Sequence, residues 1–413
     1  VSVDSAELSR RDEILDSAAE AFARSGVRTS LKEIADACGI LPGSLYHHFE
    51  SREAIVLELV QRYKNEIDQL AANPPEAANG ESVSPQEQVV RFAEAIAACG
   101  VRNRGAVLLT LYEQPGGTDS IASSASIAPP NLVAAMAATL QRAKAAGGIR
   151  ARLDLAGIAE RLCSSMLHIG IGMFVGRPGD RKMPAITTNV LLDGLAVAPP
   201  TNAELDRSRA RAAADAVIAS WRIERTAADD RGSMLRAVAR DEFGRRGYEG
   251  TTIRDIAASA GLSTGSVYRL VGSKEELLGA VMQSFAENIT AGWEAVLGSD
   301  ASAIEKLDAL MWVNIKILDR FSEEFRIQLG WMLQLPSTVD AGWLFATRLR
   351  ELETVLRHGV RSGEVQLPRG SLALCAQCVL ELIWTPEALV RAGTRSALAL
   401  GRDSVLRGAA VEV

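Results

Sequence analysis

Aromatic residues are scarce in this chain, at 5% of 413 residues, and histidine occurs only four times. Cysteine occurs five times, an odd and sparse count that supplies no disulfide framework. Long apolar runs are missing too. The longest, Met166–Gly176 and Leu372–Trp384, fall short of the ~20 residues that span a bilayer. Val1–Ser9 carries acids and no apolar stretch, so no secretory signal is expected and the chain reads as cytoplasmic with no membrane partner. Basic excess is also lacking. The 45 Lys+Arg face 51 Asp+Glu, a net charge of −6, which argues mildly against a nucleic-acid partner, because phosphate binders usually carry a basic surface.

What is present is ordinary globular material, 47% hydrophobic and 23% charged, which excludes wholesale disorder. At about 100–200 residues per domain the length suggests two to four domains. Apolar residues recur at three- and four-residue spacing in Val89–Cys99, Ala106–Tyr112, Leu132–Ala145, Leu155–Phe174, Ile304–Leu318, Phe325–Leu333, Trp343–Val360 and Leu372–Val390. No run alternates with period two over a convincing length, so the expectation is an all-α protein. Pro- and Gly-rich breakers at 73–75, 115–117, 129–130, 176–184 and 336 separate the helices.

The chain repeats at half its length. Phe22 pairs with Phe243 and Gly26 with Gly247 at an offset of 221; Ile34 pairs with Ile256 and Tyr46 with Tyr268 at 222. One inserted residue between Gly247 and Thr252 accounts for the change. Gly39/Gly261, Gly43/Gly265, Ser44/Ser266, Ser51/Ser273 and Glu53/Glu275 then coincide, and chance does not produce that register.

Each copy opens with an amphipathic helix, Asp12–Ser25 or Ser233–Arg246, stopped by Gly26 or Gly247. A short second helix follows, capped by Ser30 with Glu33 or by Thr252 with Asp255 as the capping-box partner, and Gly39 or Gly261 ends it. In the third helix Pro42 occupies a first-turn position, where its missing N–H costs nothing. Leu45 and Phe49 face inward toward Phe22, so Gly43, Ser44 and His47 face out. Two short helices at a steep angle, the second small and polar outside, fit a DNA-reading helix-turn-helix. Gly43 permits close approach of a phosphate to free backbone N–H groups. Tyr46 and Tyr268 can donate to phosphate, and Arg52 and Lys274 add cations just after the Ser51 and Ser273 caps. The equivalent positions Thr264, Gly265, Ser266 and Arg269, together with Pro42 and the capping residues Ser30 and Thr252, complete the candidate DNA contacts.

The pattern I-A-x-x-x-G-x-x-x-G-S-x-Y, present twice and followed by S-R-E or S-K-E, resembles the TetR family of bacterial repressors. The resemblance covers about 50 residues per copy; the rest of each half is similar to the family only in being helical and of suitable length. Half the chain, about 206 residues, is close to one family subunit, which normally works as a dimer. The chain is thus similar to a tandem fusion: two halves, each a helix-turn-helix head on a helical ligand-binding and dimerisation body, forming an intramolecular pseudo-dimer. Copy two departs from the Y-x-H-F ending, with Leu270 and Val271 where copy one has His48 and Phe49.

The expected layout is head one at 8–55, body one at 56–197, a linker with a charged helix (Ala203–Arg225) at 198–229, head two at 230–277 and body two at 278–413. The heads differ in charge. Val1–Ile55 holds six Lys/Arg against ten Asp/Glu, a net −4, and 231–276 holds eight against six, a net +2. His47 and His48 point about 100° apart on a helix and cannot share a metal. Cys375 and Cys378 form a CxxC inside an apolar helix without a second ligand pair. No metal, cofactor or catalytic constellation is expected. Candidate ligand contacts are Tyr112, Met136, Met166, His168 and Met173 in body one and Trp312, Trp331, Met332 and Trp343 in body two, because apolar surroundings with few polar groups suit a small effector and the resemblance implies one. The function expected is a DNA-binding transcriptional regulator, a repressor released from double-stranded operator DNA by a small apolar effector. It would act as a monomeric pseudo-dimer, with a homodimer of pseudo-dimers ranked second. The alternative is a helical ligand-binding or adaptor protein whose heads do not bind DNA.

Overall fold

The computed structural model describes residues 2–25, 29–75, 83–112, 127–172, 180–221, 231–334 and 343–411. Head one comprises α1 (Ser2–Ser25), α2 (Leu31–Ala37) and α3 (Pro42–Leu45). Its core holds Phe22, Leu45 and Phe49, the inward residues the sequence marked, together with Ile14, Leu15, Ala18, Ile34 and Ala35, and all eight are buried. Body one follows as α4 (Arg52–Ala72), α5 (Pro85–Arg102), α6 (Arg104–Tyr112), α7 (Pro130–Ala145), α8 (Leu155–Ile171) and α9 (Met183–Asp193). Helix α8 lies at its centre against α5 and α7, and almost every residue from Gly157 to Ile171 is buried, as an apolar helix without a polar face requires.

The connector is not the single charged helix expected over Ala203–Arg225. It is two helices, α10 (Asn202–Asp206) and α11 (Arg209–Ser220). The break falls at Ser208, whose extended backbone and side chain, accepting from Arg211 N–H at 3.0 Å, start a new helix. Nor is it a free linker. Helix α11 packs on body two and buries Ala210, Ala214 and Ile218 there. The last part of the expected helix, 222–225, lies outside the described residues.

Head two repeats head one as α12 (Arg231–Gly250), α13 (Ile253–Ser259) and α14 (Thr264–Val271). Gly247 has φ 72° inside α12, so the first helix breaks where the glycine was expected to stop it; Gly26 lies outside the described residues. Body two is α15 (Lys274–Gly298), α16 (Ala303–Arg320), α17 (Ser322–Gln334), α18 (Trp343–Ser362), α19 (Leu372–Ile383), α20 (Glu387–Ala392) and α21 (Thr394–Gly401), ending in a π-helical turn, Arg402–Leu406. Helix α1 packs on α6 as α12 packs on α17, so both heads sit on their bodies in the same way. Among the described residues there is no strand, only two isolated bridges.

By length and composition Leu372–Ala392 would pass for a membrane span, but 61% of its apolar 18-residue stretch is buried within the protein. The expected helix over Leu372–Val390 is broken as well. Trp384 is extended, and Pro386 forces the residue before it away from helical geometry.

The two halves are joined by more than the connector. Helix α9 packs on α19, and the C-terminal segment pairs its backbone with body one. Leu195 and Ala196 N–H donate to Val405 and Leu406 carbonyls, and Ala409 and Ala410 N–H donate to Leu191 and Leu192 carbonyls. Gly194 (φ 76°) and Gly408 (φ 72°) meet where these segments cross, and a Cβ on Gly408 would fall 2.4 Å from Asp193 backbone. Only glycine permits that approach. A buried ion cluster pins the π-turn from the other side. Arg402 (4% exposed) holds Asp308 (0%) through Nε at 2.7 Å and Nη2 at 2.8 Å, and Nη2 also reaches Asp206 at the end of α10 at 2.7 Å.

Candidate nucleic-acid interface and effector body

Both capping boxes form as the sequence implied. Ser30 accepts from Glu33 N–H while Glu33 accepts from Ser30 N–H, and Thr252 and Asp255 do the same. Gly39 and Gly261 both have φ 65°, the left-handed turn between second and third helices. With Leu45 and Val267 anchoring each third helix in the core, the opposite face is presented to solvent. Pro42, Gly43, Ser44, Tyr46 and His47 are exposed in head one, and Thr264, Gly265, Tyr268 and Arg269 in head two, with Ser266 half-buried beside them.

The remaining predicted contacts are less available. Ser30 and Thr252 are exposed, but their hydroxyls are engaged as caps. Arg52 donates from Nε to the Thr29 carbonyl at 2.9 Å and lies over the Phe22 ring, and Lys274 lies 4.1 Å from the Tyr248 ring centre. Both cations fold onto their own head. Sequence reasoning passed over another pair. Lys32 and Arg254, at the same offset of 222, stand exposed on α2 and α13, where a helix crossing the DNA backbone meets phosphate. Repeat alignment was the signal that could have found them.

The third helices are unequal. Helix α3 spans four residues and α14 eight. Arg11, over the Phe49 ring and bonded to the His48 carbonyl, holds the turn that ends α3. Head two has Gly232 at the matching offset. There α14 continues to Val271, which packs on the core, leaving Leu270 exposed.

Hydrogen bonds from the backbone N–H and hydroxyl of Ser30 hold the Glu33 carboxyl below its ordinary 4.5, and those from the hydroxyl and backbone N–H of Thr252 hold Asp255 below 3.8. Because the folded value lies beneath the unfolded one, this cap strength is complete above the unfolded values and is lost as pH falls through the lowered ones. Helicity of the heads, followed by circular dichroism from pH 6 downward, should fall more steeply in the wild type than in the double variant Glu33→Gln, Asp255→Asn. Parallel acid profiles would show that the boxes do not carry the dependence.

In the bodies, Met136 and Met166 are fully buried core residues. Trp312 is covered by α11: its indole N–H donates to Asp215 at 2.7 Å and Arg211 stacks 4.1 Å from the ring centre. His168 pairs with Glu381 of body two, Nδ1 to Oε1 at 2.8 Å. Met173 and the side chains of Tyr112, Trp331, Met332 and Trp343 lie outside the described residues. Two open clefts lie elsewhere. One of about 520 Å³ runs between α9 and the loop before α19, lined by Arg181, Lys182, Asp193 and Arg369; one of about 460 Å³ lies between α16 and α18 beside His358. Burial pushes the thiol of Cys378 up to about 12, and its Sγ donates across the seam to the Met183 carbonyl.

The profile of the family described as bacterial regulatory proteins, tetR family, matches residues 14–59 and 235–281. Both heads belong to the TetR family. The HTH-type transcriptional repressor KstR2 of Rhodococcus jostii is 51% identical over 59 residues, which are 14% of this chain and 29% of that one. KstR2 of Mycobacterium tuberculosis is 47% identical over 81 residues, 17% of this chain and 40% of that one. The solved structure of that ketosteroid transcriptional regulator aligns with TM-score 0.38 and 24% identity, covering 45% of this chain and 97% of its own. These two curated relatives are therefore matched over less than half their length. The tandem arrangement expected from the repeat stands: two TetR heads, one in each helical half.

Proposed function

We propose that this chain is a transcriptional repressor, cytoplasmic and without catalytic activity, that grips one operator with both heads and lets go when a small apolar effector binds its bodies. The observation that carries this is the duplicated outward face, Gly43-Ser44 with Tyr46 and Gly265-Ser266 with Tyr268, backed by a buried anchor in each head. A TetR-type subunit with one head needs a partner to reach two half-sites about 34–36 Å apart. Here the partner comes in the same chain, clamped by the C-terminal segment. An effector acts only through its different affinity for the two head spacings. The inward-turned Arg52 and Lys274 favour a second reading, a ligand-binding protein whose heads do not grip DNA.

A selection from random duplexes followed by a gel shift separates the two readings, since heads that do not grip DNA enrich nothing. Light scattering of the complex should then give one chain per duplex, with affinity independent of protein self-association. Two chains on one short palindrome would refute the built-in dimer, and two on a longer site would mean that whole pseudo-dimers pair.

A further inference from the structure

Arg161 sits in the middle of α8 with no exposed surface. Its Nη1 is 3.5 Å from the Thr385 hydroxyl of body two, but Nε and Nη2 are buried without any hydrogen-bond partner. Those two N–H groups lie side by side on one edge of the guanidinium, the fork that receives both oxygens of a carboxylate. The acid nearest in influence is Glu381, and its Oε1 is already bonded to His168 at 2.8 Å. Burial weakens the charge on Arg161, bringing its pKa down to about 10.

A buried cation with an empty bidentate edge is among the costliest features a core can hold, and an apolar side chain of the same volume would ordinarily be cheaper. The cost makes sense if the anion arrives with a ligand. The four polar residues come from both halves: Arg161 and His168 from α8, Glu381 from α19 and Thr385 just beyond it. His168 is the one member that is not buried.

We propose that the seam between the two bodies takes the carboxylate of an apolar acid on the Nε/Nη2 edge of Arg161, so that the acid ties α8 to the segment around Thr385. This rests on the reading of the bodies as effector-binding and narrows the effector to an acid with an apolar tail. Because the seat is built from both halves, its occupancy acts directly on how they are placed, and through α1–α6 and α12–α17 packing on the heads.

The test uses the full chain without DNA and the saturated carboxylates from acetate to dodecanoate, each against the alcohol of equal length. All six tryptophans lie at 221 or beyond, and Trp384, stacked on Phe325 at 4.7 Å, adjoins Thr385, so indole emission reports the seam. Longer-chain acids should raise the melting midpoint and shift the emission, while the alcohols do neither. Arg161→Met should cut acid affinity at least tenfold yet melt no lower than the wild type when no acid is present. Arg161→Lys, which keeps the charge and loses the fork, should bind with intermediate affinity. The proposal is overturned if no acid in the series raises the midpoint, if acetate acts as strongly as the long acids (an adventitious ion only), or if Arg161→Met responds like the wild type. It is equally overturned if Arg161→Met alone melts several degrees lower, because Arg161 would then be a structural partner of Glu381. Failure of DNA binding with the acid response intact would sink only the repressor reading; the reverse would sink only this one.

Discussion

Arg402→Ala should destabilise body two by about 3–5 kcal/mol, the usual cost of stranding one member of a buried ion pair. The partner left behind is Asp308, which has no exposed surface and takes two bonds from Arg402. Asp206 is different: it is largely exposed and returns to water. Burial works against the Arg402 charge, yet the hydrogen bonds to Asp308 and Asp206 outweigh it and hold Arg402 above its ordinary value. The loss reaches beyond one contact, because Arg402 opens the π-turn, and the stretch from its last residues onward, Val405 to Ala410, clamps body one. Urea unfolding followed by indole emission reads body two together with the end of α11, whose Trp221 packs on Phe321. The paired change Arg402→Met, Asp308→Leu should recover most of the loss, since apolar replacement removes both buried charges together. A single-variant loss under about 1 kcal/mol, or no recovery in the pair, would show that the cluster is not what holds the π-turn.

How much of this was legible beforehand follows from the range over which each feature acts. The heads were readable because their determinants are local: a cap and its box partner three residues on, a glycine with φ 65°, an apolar pair four apart. Each of those is set by neighbours in the chain and repeats at a fixed offset. Breaks inside apparently continuous helices were missed where the deciding residue was inconspicuous. Ser208 is one serine in a charged stretch, and Pro386 lies within an apolar run. The long-range features were invisible for a different reason. Arg161 with Thr385, His168 with Glu381 and Arg402 with Asp308 join residues between 94 and 224 positions apart, and no periodicity encodes such a pairing. Trp312 shows the same limit. An aromatic in an apolar helix reads as a pocket wall until α11, a segment expected to be a linker, is found lying over it.

Arg269→Ala should relax base preference at a single position in one half-site and leave the other half-site unchanged. Fusion removes the symmetry that identical subunits impose, and the third helices have used that freedom. In head two Arg269 is exposed on a full eight-residue helix, its guanidinium laid along that helix with Nε 3.3 Å from the Gly265 carbonyl and Nη2 3.3 Å from the Ser266 hydroxyl. Those contacts are long and solvent-facing, so a guanine edge offering O6 and N7 competes for the same fork. A bidentate arginine–guanine pair is worth about 1–3 kcal/mol of discrimination, roughly 5- to 150-fold. In head one the corresponding residue is His47, lying just past the end of the four-residue α3, and a ring of that kind offers no fork. The net charges of −4 and +2 point the same way, with head two carrying more of the phosphate attraction. The selected operator should therefore be non-palindromic, with a guanine preference on one side. Binding of wild type and Arg269→Ala to duplexes mutated one base pair at a time measures it, at a fixed salt concentration. His47→Arg should in turn add a guanine preference on the opposite side. Equal relaxation in both half-sites, or none in either, would mean that Arg269 does not read a base and that the asymmetry of the heads lies elsewhere.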